Sequence, residues 1–155
     1  MRPVVLCFSG LDPSGGAGLQ ADIESIAALG CHAAVGGTAL TVQDSQQVYG
    51  FEAVSPMLIR QQANAVLADL RVAAIKLGML GSGAIAREIA LILAAHPDIP
   101  VVLDPVLTAN SGGSLADDDL AQGLLGLFPL TTVITPNSIE ARRLAELQNL
   151  PSTVQ

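Results

Sequence analysis

The residues of this chain best suited to chemistry fall in one run, Phe8-Ser-Gly-Leu-Asp-Pro-Ser-Gly-Gly-Ala-Gly-Leu-Gln-Ala-Asp22. Glycines at 10, 15, 16 and 18 let backbone come close to a ligand, because no Cβ intervenes. Gln20 and Asp22 then set an amide and a carboxylate just inside the helix that follows. Together they suit a small polar molecule. Four more candidates stand further on: Gln43-Asp44 after an apolar run, Lys76 within one, Asp104-Pro105-Val106, and Thr135-Pro136-Asn137 followed by Glu140. A carboxylate such as Asp104 at the end of a buried strand is a common way to hold Mg²⁺, directly or through water.

Each of these has an ordinary alternative. Gly16 to Ala21 matches G-x-G-x-x-A, the dinucleotide pattern. However, the loop from Ser9 to Gly15 separates the first glycine from the strand, and no acidic residue occurs between Ala34 and Val42. Asp22 near a helix start is favoured by the dipole without any function. Gln43-Asp44 is equally compatible with a polar turn, and Lys76 with an edge residue whose ammonium reaches solvent. Asp104-Pro105 also reads as a turn, and Asn137 with Glu140 three residues on reads as a capping box.

The elements that must position these residues alternate regularly. Val4–Phe8 reads as a strand, Ile23–Gly30 as a helix closed by glycine, and Cys31–Thr41 as a second strand, with Val48–Val54 a short extended excursion. Ser55-Pro56 opens a helix in the preferred way, with Leu58, Ile59, Ala63, Val66, Leu67 and Leu70 at helical spacing. Val72–Leu77 is the next strand. Ser82 caps a helix to about His96, Val101–Leu103 is a strand, and Asp117 caps a helix to about Phe128. Thr132–Ile134 ends the strands, and Asn137 caps a last helix. Strand, polar loop and helix in succession predict an α/β fold of three layers, a mostly parallel sheet with helices on both faces. In such sheets ligands bind beyond the carboxyl ends of the strands, where every candidate above falls.

Composition narrows the function classes. The chain has 155 residues, half of them apolar and 14% charged, with no Trp, one Tyr and three Phe. The core must therefore be aliphatic. A net charge of -7, with only seven basic residues, argues against nucleic acid as a partner, since phosphate neutralisation needs clustered Lys and Arg. Cys7 and Cys31 share no ligand spacing with His32 or His96 and read as reduced, packed thiols. No secretory signal is legible, and Ala84–Ala95, which carries Arg87 and Glu88, falls short of a membrane span. A cytoplasmic protein without membrane partners is expected.

Taken together, Gly10 to Asp22, Ala39 to Gln43, Lys76 to Leu80, Asp104 to Val106 and Thr135 to Glu140 resemble the hydroxymethylpyrimidine/phosphomethylpyrimidine kinases of thiamine biosynthesis, members of the ribokinase superfamily. The resemblance runs from the first strand to about Leu147 in the family's order. It implies a ribokinase-like fold, ATP and Mg²⁺, an aminopyrimidine substrate, and phosphorylation first of the hydroxymethylpyrimidine and then of its monophosphate. By the same resemblance Gly10, Asp22, Gln43, Met79 and Val106 bind the pyrimidine. Asp104, Asn137 and Glu140 lie at the ATP phosphates, with Asp104 and Glu140 near the metal. A homodimer is compatible with the family.

Family members continue past this point with a Lys-Gly-Gly segment and a Gly-Thr-Gly-Cys or Gly-Thr-Gly-Asp turn, which supplies the anion hole and the expected base. By the resemblance, the catalytic base lies beyond Gln155, and none is assigned within residues 1–155. These residues are expected to form a single ribokinase-like domain lacking its C-terminal part. A pyridoxal or pyridoxine kinase of the same superfamily and a non-catalytic pyrimidine-binding module are the competing readings.

Overall fold

A computed structural model describes residues 2–107 and 118–148. Six strands form one sheet in the order β3-β2-β1-β4-β5-β6. The strands are β1 (Val4–Leu11), β2 (His32–Gln43), β3 (Val48–Ala53), β4 (Val72–Leu77), β5 (Val101–Leu103) and β6 (Val133–Ile134). All neighbours run parallel except β2 and β3, an antiparallel pair that puts β3 on one edge. The helices are α1 (Gly18–Ala28), α2 (Pro56–Asp69), α3 (Gly83–Ala94), α4 (Asp118–Leu127) and α5 (Ser138–Leu147). The mostly parallel α/β expectation holds.

The strands are longer than their apolar runs suggest. β1 reaches Leu11 and β2 reaches Gln43, because pairing with a neighbour carries both through their polar and glycine residues. The first helix starts at Gly18, ahead of the Ile23 start expected from apolar spacing. Gly18 has φ +59°, and a Cβ there would overlap the Gly10 carbonyl oxygen. Only glycine allows the chain to turn that tightly from β1 into α1. At the far end of α1, Gly30 with φ +78° closes the helix as expected. Ser55 and Ser82 accept hydrogen bonds from the Leu58 and Ile85 amides at 3.2 Å, so both caps form as read. Two expectations fall outside the described residues: Asp117 as the cap of α4, and Gln155 as the point beyond which the catalytic base lies.

Alternation along β1 divides the sheet. Val4, Leu6 and Phe8 join the main aliphatic core with Ile59 of α2, Ile85 and Ile89 of α3, and Leu120 and Leu124 of α4. Cys7, of the opposite parity, is in register with Lys76 of β4, and Lys76 meets α1. Both faces are thus covered. Burial pushes the Cys7 thiol up to about 11, with Asp22 adding to the rise and Lys76 opposing it. A thiol protonated at neutral pH is a packing group, as expected.

α3 and α4 approach through glycine. A Cβ on Gly123 would lie 2.8 Å from the Ala86 Cβ and 3.3 Å from the Gly83 backbone. Gly123→Ala therefore sets a helix-propensity gain of up to about 1 kcal/mol against an overpacking cost of about 1–3 kcal/mol. The expected outcome is a lower midpoint in urea denaturation, not the rise that propensity alone predicts.

Candidate functional site

The turn from β1 into α1 is organised by Asp12, which is 5% exposed. One carboxylate oxygen accepts from the Ser14 amide at 2.8 Å and the Ser14 hydroxyl at 2.7 Å, and the other from the Ala17 amide at 2.9 Å. Burial acts to raise the Asp12 pKa. The bonds from the Ser14 hydroxyl and the Ser14, Ala17 and Gly16 amides outweigh it and hold the group below the ordinary carboxylate range. The residue was not singled out from the sequence, although an Asp two positions before a Ser in a turn is the signal that would have found it.

Lys76 stands in β4, which has β1 on one side and β5 on the other. It is therefore no edge residue. Its ammonium lies 2.9 and 3.0 Å from the two carboxylate oxygens of Asp22 on α1. Beyond it, half-buried Asp104 follows β5, its amide extending the ladder to the Leu77 carbonyl at 2.9 Å. Burial raises the Asp104 pKa, Lys76 opposes the rise, and the charges of Glu140 and Asp22 add to it.

At the carboxyl ends of the strands these parts enclose a cavity of about 460 Å³. Its lining brings together Gly10, Gln43, Met79, Val106, Asp104, Asn137 and Glu140, with Lys76 on the same wall. Asp22 is the exception. It does not line the cavity but stands behind Lys76, which takes up both its oxygens. Met79 and Val106 pack with Ala39 and Val48 in a small apolar cluster separate from the main core. The Met79 carbonyl accepts from the fully buried Thr38 hydroxyl at 2.5 Å, a contact that no sequence signal announces. Opposite lies the hairpin turn after Gln43, where Asp44 accepts from the Gln46 and Gln47 amides at 2.8 and 2.9 Å and from the Tyr49 hydroxyl at 2.7 Å. Asp44 is thus the polar turn that one reading anticipated, whereas Gln43 belongs to β2.

Asn137 and Glu140 form the capping box. The Asn137 side chain accepts from the Ile139 and Glu140 amides at 3.0 and 2.9 Å, and Glu140 accepts from the Asn137 amide at 2.9 Å. The second Glu140 oxygen accepts from the Leu107 amide at 3.3 Å, tying α5 to the segment after Asp104. Both residues therefore have a structural duty, and both line the cavity. Among the described residues no three His, Cys, Asp or Glu side chains gather as a metal cage. A cation held here would draw most of its ligands from water or a bound phosphate, as Mg²⁺ does.

Asp12→Ala is expected to cost about 1.5–3 kcal/mol at neutral pH, the range for charge-assisted hydrogen bonds. Since the folded pKa is depressed, this stabilisation is present above the unfolded value of about 3.9 and lost as pH falls through the folded one. Urea midpoints of wild type and variant should therefore approach each other in acid. Asp104 has the opposite sign. Its folded pKa is raised, so stability is lost as pH rises from about 3.9 through the folded value. Asp104→Asn is expected to show a higher urea midpoint than wild type at pH 7, the two converging in acid.

Comparison with known proteins bears on the family and the fold. Residues 12–155 match the family model described as phosphomethylpyrimidine kinase. A hydroxymethylpyrimidine/phosphomethylpyrimidine kinase of Mycobacterium bovis is 40% identical over 148 residues, covering 94% of this chain and 54% of the relative. The crystal structure of a phosphomethylpyrimidine kinase from Clostridium difficile superposes with a TM-score of 0.86 at 34% identity, over 94% of this chain and 63% of the other. The pyridoxal kinase of Staphylococcus aureus, in complex with AMP-PCP and pyridoxal, superposes with a TM-score of 0.81 at 29% identity, over 95% of this chain and 52% of the other. This chain thus spans about half the length of that curated relative. With its sheet order, its first loop and the residues gathered at its strand ends, the chain belongs to the phosphomethylpyrimidine kinase family.

Proposed function

We propose that this chain supplies the substrate side of a kinase that transfers the γ-phosphoryl group of ATP to 4-amino-5-hydroxymethyl-2-methylpyrimidine and then to its monophosphate, in thiamine biosynthesis. One observation carries the reading. Gln43 and the apolar pair Met79 and Val106 share a cavity of about 460 Å³ with Asp104, Asn137 and Glu140, a size suited to a small ligand. In this reading the pyrimidine lies against Met79 and Val106 with the Gln43 amide on its polar edge, and Gly10 lets the ring approach β1.

Asp22 acts one step back, by holding the Lys76 ammonium on the cavity wall. The Asp104 carboxylate, which accepts no hydrogen bond from a described residue, is free to face a hydrated magnesium ion at the ATP phosphates, while Glu140 and Asn137 hold the rim around it. Magnesium would neutralise phosphate charge there. Phosphoryl transfer depends mainly on positioning and electrostatics, so these residues contribute by orienting the two substrates. No catalytic base or anion hole is assigned among the described residues. The reaction belongs in the cytoplasm, where ATP is available, and pairing of two copies is compatible with the fold.

The test is a phosphorylation assay of the full-length protein with Mg-ATP and the hydroxymethylpyrimidine, with pyridoxine as competitor. Turnover of the pyrimidine that pyridoxine inhibits poorly is the expected result, whereas preferred turnover of pyridoxine would transfer the assignment to the vitamin B6 kinases. Gln43→Ala should weaken pyrimidine binding by about tenfold, one hydrogen bond with a buried partner, as read by calorimetry. Unchanged affinity would remove Gln43 from the ring site.

A further inference from the structure

β1 and β4 lie side by side with Cys7 opposite Lys76. Residues two apart on a strand share a face, so Ser9 stands on the face of Cys7, and Gly78, just past β4, continues that of Lys76. The Ser9 residue is 2% exposed. Its hydroxyl has no hydrogen-bond partner among the described residues, yet Ser9 lines the cavity. A methyl group on Gly78 would come 2.6 Å from the Ser9 hydroxyl and 2.8 Å from the Lys76 ammonium. The two polar atoms therefore flank one bare stretch of backbone, a cradle that any side chain at position 78 would fill.

The donors on that cradle exceed its acceptors. Lys76 has three N–H groups and no lone pair. Among the described residues one carboxylate, that of Asp22, lies within hydrogen-bond distance of it, at 2.9 and 3.0 Å, leaving at least one N–H for another partner. Ser9 adds a hydroxyl that can donate or accept. The Ser9 oxygen is not sealed from solvent, and its place on the cavity wall leaves it open to a polar ligand atom that takes the position of water. Strand order locates that partner. Across the sheet the side chains run Gln43 on β2, Ser9 on β1, Lys76 on β4, Asp104 after β5 and Asn137 after β6. Ser9 and Lys76 thus stand between the ring end and the phosphate end of the site described above.

We propose that the Ser9 hydroxyl, with the Lys76 ammonium beside it, contacts the exocyclic oxygen of the substrate, the atom that receives the phosphoryl group. Ser9 is then a specificity residue that selects a hydroxymethyl-bearing heteroaromatic ring over its methyl counterpart. The assignment rests on the kinase reading of the cavity. Ser9 breaks no bond in this role. It fixes the oxygen and takes no part in removing its proton.

The experiment measures, by calorimetry on the full-length protein, binding of 4-amino-5-hydroxymethyl-2-methylpyrimidine and of 4-amino-2,5-dimethylpyrimidine, which lacks the oxygen. Wild type is expected to prefer the hydroxymethyl compound by about tenfold or more. In Ser9→Ala that preference should collapse towards parity, with affinity for the dimethyl compound unchanged and thermal stability close to wild type, because the hydroxyl makes no hydrogen bond to a described residue. A preference retained in Ser9→Ala overturns the assignment, whatever the melting temperature does. If the alanine variant does not fold, Ser9→Gly is read in the same way. Should wild type bind neither pyrimidine, the kinase reading fails and the role of Ser9 with it. Should it bind both with a preference that survives substitution, only the role of Ser9 fails.

Discussion

The ammonium of Lys76 is set into an interior strand of a parallel sheet, a place where an unpaired charge is costly. Its partner cannot come from the neighbouring strands, because Cys7 of β1 and Val102 of β5 are the residues in register with it. It comes from Asp22 on α1. That demand constrains much of the surrounding structure. α1 must start early enough to bring its second turn over β4, which in turn needs the tight path through Gly18 against the Gly10 carbonyl. The loop before it must then be held without a helix cap, and Asp12 does this by accepting the amides of Ser14 and Ala17. One partly buried charge pair thus aligns the first loop, the first helix and the floor of the cavity.

The same economy recurs on the far side of the site. Glu140 accepts from Asn137 at the start of α5 and from Leu107 after β5, so the rim that closes over Asp104 is held by side chains that also face the cavity. Locking loops through polar side chains has two effects. It satisfies backbone amides that would otherwise be orphaned at helix starts, and it leaves the remaining lone pairs at defined positions before any ligand arrives. Preorganisation of this kind is what phosphoryl transfer requires from a protein. Asp104 differs from its neighbours in that its carboxylate accepts no hydrogen bond from a described residue, and burial raises its pKa.

Fold class was legible because hydrophobic periodicity and punctuation are local. Val72–Leu77 and Val101–Leu103 are strands in the structure with the bounds that their apolar runs suggest, and Ser55, Ser82 and Asn137 cap helices as their positions imply. Strand ends were less legible. Gln43 belongs to β2 and Leu11 to β1 because pairing partners extend them, and pairing is not a property of either segment alone. The antiparallel edge strand β3 was visible only as an extended excursion, since nothing within Val48–Ala53 says which neighbour it will meet.

The candidate site divides along the same line. By itself the sequence determined which residues gather at the carboxyl edge of the sheet: in an alternating α/β chain, whatever follows a strand must fall there, so Gln43, Met79, Asp104, Val106, Asn137 and Glu140 could be placed without coordinates. Only the tertiary structure decided which side chains face the cavity and which serve those that do. Asp22, read as a direct ligand group, is turned to Lys76. Lys76, equally readable as an edge residue, is central. Asp12 and Ser9 are buried on the cavity wall although neither stood out in the chain. The reason is physical. Charge pairing and burial depend on distances between segments far apart in sequence, Asp22 to Lys76 and Ser9 to Gly78 among them, and those distances exist only once the sheet has chosen its order.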